Sequence, residues 1–161
     1  MFRPLVLALA LSAPAAAFAA PAMDPATYVK KAGASDLYEI TSSKLVMTSR
    51  NADIRRFAQQ MVRDHTKSTA EVKAAATRAH LHPAPPHLDL MQERMVSQLR
   101  GASGPQRDRL YLDQQRQAHQ MALDLHRSYA AHGSAPSLKT AAANIEPVVQ
   151  SHIDMLRTMH P

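Results

Sequence analysis

Residues 51–79 read NADIRRFAQQMVRDHTKSTAEVKAAATRA. Ile54, Phe57, Met61, His65, Val72 and Ala76 recur along this stretch at three- and four-residue steps, the spacing of one face of an α-helix. Arg55, Arg56, Arg63, Lys67 and Lys73 fall between them, where a solvated face would lie. Asn51 can accept a hydrogen bond from the first free backbone N–H groups, so the segment predicts a capped helix over 52–79.

The same period extends outward from this helix. Before it, Asp24 is a natural N-cap with Pro25 in the first helical position, and a helix is expected over 25–49. Its face is mixed, because Val29, Ala32, Ile40 and Val46 share it with Asp36 and Glu39. After it, HLHPAPPH at 80–87 breaks the chain. A short helix is expected over 88–100, ended by GASG at 101–104. A third long helix follows over 105–131, with Tyr111, Gln115, His119, Ala122 and His126 inward. Gly133-Ser134-Ala135-Pro136 turns the chain into a fourth, over 137–159, with Leu138, Ala142, Ile145, Val149, His152 and Leu156 inward. Pro147 lies inside this last helix and predicts a kink in the turn before it. No stretch alternates with period two, glycine occurs only four times, and no internal repeat is found. The pattern is all-α: a four-helix bundle with a short extra helix between the second and third long ones.

Three of these helices carry a histidine in the middle of an apolar face. Glu39 lies about 12 residues before the first turn and His65 about 14 after it, roughly 18–22 Å along the axis. His119 and His152 lie about 15 and 18 residues from the turn at Ser134, roughly 22–27 Å away. Glu39, His65, His119 and His152 therefore fall at one level and can face one another. Bundles build metal sites there, and imidazoles with a carboxylate suit zinc, copper or iron. Met61 and Met155 lie near, and a thioether ligand would tilt the choice to copper. The alternative is a core in which the histidines hydrogen-bond a carboxylate or a tyrosine such as Tyr111, with methionine as filler. His80, His82 and His87 form a second cluster, read as a polar loop. No nucleophile–base pairing, phosphate loop or H-E-x-x-H stands out, so no catalytic residue is assigned.

Residues 1–20 read MFRPLVLALALSAPAAAFAA, with a basic start at Arg3, a short apolar run and Ala17-Phe18-Ala19. This is the pattern of a cleavable export signal cut after Ala19, leaving one domain over 20–161. The apolar run is too short to span a bilayer. The expected location is the periplasm, in free or outer-membrane-associated form. There is no cysteine, hence no disulfide and no thiolate ligand. The net charge of +6 is scattered and tryptophan is absent, which argues against nucleic-acid binding and leaves weak attraction to anionic surfaces.

Phe57-Ala58-Gln59-Gln60-Met61-Val62-Arg63-Asp64-His65-Thr66-Lys67 resembles the core motif of the domain-of-unknown-function 4142 family. Glu39 is similar to the glutamate of that family's first helix. Asp108, Arg109, Tyr111, Leu112, Gln115 and His119 resemble its third, and Pro147 with His152 its ending. The likeness covers about residues 25–158. It implies an exported bacterial protein with a ferritin-like four-helix bundle, and it implies no activity. Ferritin-like di-iron proteins place Glu-x-x-His on two helices. Here Val62 and Val149 stand where those glutamates would, so a di-iron centre is not expected.

Three functions stay open on the sequence: a non-enzymatic periplasmic bundle that buffers or carries a transition metal, a structural or stress-related interaction protein without metal, and a metal-dependent oxidoreductase.

Overall fold

The computed structural model describes residues 23–160; the segment read as an export signal lies outside them. Five helices and no strand occur among the described residues: α1 (Pro25–Lys44), α2 (Ala52–Arg78), α3 (Leu90–Gly101), α4 (Gly104–His132) and α5 (Pro136–Thr158). The caps are those the sequence offers. The Asp24 carboxylate accepts from the Thr27 N–H at 3.0 Å, and the Asn51 side chain accepts from Asp53 and Ile54. Asp89 and Gln92 form a reciprocal capping box, which starts α3 two residues later than expected. α5 runs on through Pro147 as one helix.

One boundary differs by a full turn. The first helix ends at Lys44, not at residue 49. Leu45, Val46 and Ser49 donate to Ser42, Ser43 and Val46, bonds of the tighter three-residue kind. Arg107 on α4 takes the Leu45 carbonyl at 3.1 Å, and Ser49 donates to Asp108 at 2.7 Å. These partners lie about 60 residues away in sequence, so local propensity could not place the stop.

The long helices pack in the cyclic order α1, α2, α5, α4, and α3 packs on α1 and α4. Both Leu45 with Arg107 and Ser49 with Asp108 place the start of α4 beside the end of α1. That is also where α2 begins. So α2 and α4 run parallel, and the segment between them, including α3, returns along the length of the bundle. The end of α5 reaches the same place, since the Asn51 amide donates to the His160 carbonyl. One long crossover of this kind is the ferritin-like connectivity.

The apolar core is split along the axis. One cluster, around Tyr28, Val72, Ala76, Leu123, Leu138 and Ile145, fills the end away from the α1–α2 turn. The other, around Ile54, Phe57, Met61, Leu99, Leu112 and Leu156, fills the near end. Between them lies a buried polar layer: Asp36, Glu39, His65, Gln115, His119 and His152.

Candidate metal centre

α2 brings His65, α4 brings His119 and α5 brings His152 to this layer, at 3 %, 0 % and 1 % exposure. Their ring centroids are 5.3–5.6 Å apart, and one ring nitrogen of each lies within 4.8 Å of the others. Phe57, about two helical turns before His65, sets its ring against His119 and His152 at 6.3 and 6.4 Å and closes the layer toward the near apolar cluster.

Each ring is held by the nitrogen that faces away. His65 Nδ1 lies 2.8 Å from Asp36 Oδ1, His119 Nδ1 lies 3.0 Å from the Gln115 carbonyl, and His152 Nε2 lies 2.9 Å from Asp64 Oδ2. A carbonyl and ionised carboxylates only accept, so the three outer nitrogens are the donors. In neutral rings that leaves His65 Nε2, His119 Nε2 and His152 Nδ1 as bare lone pairs. His65 Nε2 has no hydrogen-bond partner within the protein, and His119 Nε2 faces His152 Nδ1 at 3.3 Å. Two acceptors at that distance repel unless a cation lies between them. Two nitrogens bound tetrahedrally at about 2.0–2.1 Å are themselves about 3.3 Å apart. The other two edges of the triangle, to His65, lie within 4.8 Å.

Metal-bound histidines characteristically give their other N–H to a carboxylate or backbone carbonyl, which fixes the tautomer. All three rings here are held in that way. Asp36 is also held, by the Thr69 hydroxyl at 3.1 Å. Burial lowers the basicity of His152 to a pKa of about 4 and takes His119 well below the ordinary imidazole range, helped by the neighbouring rings. Burial pulls His65 down too, but the Asp36 hydrogen bond and the charges of Asp36, Glu39 and Asp64 outweigh it and leave it raised.

Glu39 shares the layer but not the cluster. Its Oε1 lies 3.5 Å from His119 Nδ1, the nitrogen turned away from the other two rings. Both its oxygens are buried without a protein partner, and burial pushes its carboxyl up to about 7. Met61 and Met155 pack in the near apolar cluster as filler. His126, one of the inward residues of the third long helix, lies outside the layer and accepts or donates at Nδ1 to the Tyr28 hydroxyl at 3.0 Å. His80, His82 and His87 are exposed on the loop before α3.

Asp36 and Asp64 are the members that sequence reasoning did not assign. Asp36 has a signal: it lies three residues before Glu39, on the same helix face. Asp64 lies one residue off the inward stripe, about 100° around α2, and reaches sideways to the neighbouring helix α5 instead of into the axis.

No curated protein and no solved structure matches the chain. The family model described as Domain of unknown function (DUF4142) matches residues 10–159, nearly the whole chain, and the protein belongs to that family.

Proposed function

We propose that this protein holds one divalent transition-metal ion, of the zinc or copper(II) class, on His65, His119 and His152, and serves in the periplasm as a non-enzymatic metal buffer or carrier. The observation that carries this reading is the convergence of three imidazole lone pairs whose outer nitrogens are all committed as donors. Nitrogen donors without sulfur suit zinc, copper(II) and iron(II), and the small triangle suits four-coordination with one position left for water. Rings exposed by 3 % or less give no substrate access to the ion, which favours holding over turnover. Export rests on the N-terminal pattern at Arg3 to Ala19.

A second reading has its own observation. The carboxylate of Asp36 favours a proton on His65, and a protonated His65 could occupy the layer in place of an ion, leaving a purely structural polar core. Elemental analysis of tag-free protein purified from periplasm separates the two. The metal reading expects about one transition-metal ion per chain. Folded protein without metal, unable to take up zinc or copper when dialysed against it, would overturn it.

A further inference from the structure

We infer that the ion enters and leaves this centre through the seam between α2 and α5, with Asp64 as its first ligand at the portal. The inference rests on the metal reading above and concerns the route alone. The centre has three outer supports, and they differ in their access to water. Asp36, between α1 and α2, is 3 % exposed at its side chain and is roofed by Thr69. Gln115 and His119 on α4 are fully buried, and α3 covers the adjoining α1–α4 side, where Met95 and Val96 pack on Tyr38. Asp64 alone reaches solvent, with its side chain 32 % exposed, while the His152 ring it holds is 1 % exposed.

Asp64 is also free to take a cation. Asp53, Asp113, Glu146 and Asp154 are each paired with an arginine. Among the described residues no lysine or arginine pairs with Asp64, whose one ionic neighbour is His152 Nε2 at 2.9 Å. A hydrated divalent cation is drawn to that half-buried carboxylate. Binding there competes with the hydrogen bond that holds His152, so the ring is released to turn as the ion arrives. The ion then exchanges water ligands for imidazole nitrogens, and Asp64 recovers the His152 N–H once the ion has passed inward. One side chain thus both attracts the ion and unlatches the ligand that blocks its way.

The test uses cobalt(II) as the probe, mixed with metal-stripped mature protein and followed by the visible absorption of the bound ion. For the wild type the association rate should fall as salt is raised, because attraction to Asp64 is screened. Asp64→Asn should lower the association rate by about tenfold or more at low salt and flatten its salt dependence, since a unit charge on the approach path is lost. Asp64→Glu should restore most of the rate. Glu93→Gln, which removes an exposed carboxylate on α3, across the bundle from this seam, should leave the association rate unchanged. Circular dichroism matching the wild type shows that each variant is folded. Asp64→Asn binding as fast as the wild type, or faster, overturns the portal, as does a salt-independent wild-type rate. Failure of the wild type to bind cobalt(II) or zinc at all overturns the centre itself, which is a different outcome from an unchanged rate.

Discussion

Removing the ion and removing one of its ligands should not be independent perturbations. Take His152→Ala. The ring is 1 % exposed, contacts Phe57 and His119, and is latched by Asp64. Deleting it leaves a cavity in a packed layer and costs about 2–4 kcal/mol whether or not metal is present. On the proposed metal reading, the ion adds a separate contribution to the wild type alone. An ion that binds the folded state and is present at about a thousand times its dissociation constant stabilises by about 4 kcal/mol. For a chain of this size each kcal/mol moves the thermal midpoint by about 2–4 °C, so chelation should lower the wild-type midpoint by roughly 8–16 °C. With one nitrogen of three removed, the remaining pair holds the ion poorly, and His152→Ala should respond to chelator by no more than roughly 2 °C. The four midpoints, wild type and variant with and without chelator, are read by circular dichroism or calorimetry on tag-free protein. If wild type and variant shift equally, or neither shifts, the histidines form a hydrogen-bonded core and the metal reading is wrong.

Other residues give independent checks. Glu39→Gln should keep the full metal stoichiometry by elemental analysis, because the carboxylate lies behind His119; loss of the ion would place Glu39 among the ligands. His126 is buried with its pKa lowered from 6.5 to about 4, so the unfolded chain takes up its proton first as the pH falls. It contributes about 3 kcal/mol of stability above pH 6.5 that is lost progressively toward pH 4, and His126→Gln should remove that much of the pH dependence of the urea midpoint. Gly133→Ala should destabilise by about 1–3 kcal/mol in urea titration, since its new methyl would meet Tyr129 ring and carbonyl atoms at 2.5–2.7 Å. Gly101→Ala, with nothing within 4 Å, should be neutral or stabilise slightly.

How much of this was legible in the sequence follows from which interactions are local. The inward faces of α2, α4 and α5 were readable because each repeats hydrophobic positions at helical steps, and the predicted inward residues on all three are buried. The face of α1 was readable in part. Val29, Ala32, Asp36, Glu39 and Val46 are buried and Ile40 is only half-buried, while Tyr28, Tyr38 and Ser43, not assigned to that face, are buried with His126, Gln114 and Tyr111 on α4 satisfying their hydroxyls. A polar face becomes an inner face only when its partner is known. The meeting of His65, His119 and His152 followed from helix rise and turn position. The direction of the α2–α4 connection did not, since it depends on where α3 docks, through Met95 and Val96 against Tyr38 and Leu99 in the near cluster.

The charge inventory of the layer bears on how many ions it can serve. Di-iron bundles surround two metals with several carboxylates, which balance the high charge of the pair. Here the positions three residues before His65 and His152 are Val62, half-buried, and Val149, 1 % exposed in the far apolar cluster. The three converging rings are neutral donors, and the carboxylates that hold them from behind are two, Asp36 and Asp64. Two negative charges balance one divalent ion. They would leave a pair of ferric ions, in a layer with apolar clusters on both sides, with a large uncompensated charge, which a low-dielectric core does not tolerate. Glu39, whose pKa burial pushes up to about 7, could lend one more charge at most. On the proposed metal reading, the layer suits a single divalent ion: Asp36, Gln115 and Asp64 would set the tautomers, the two aspartates would balance the charge, and Phe57 lies toward the near apolar cluster.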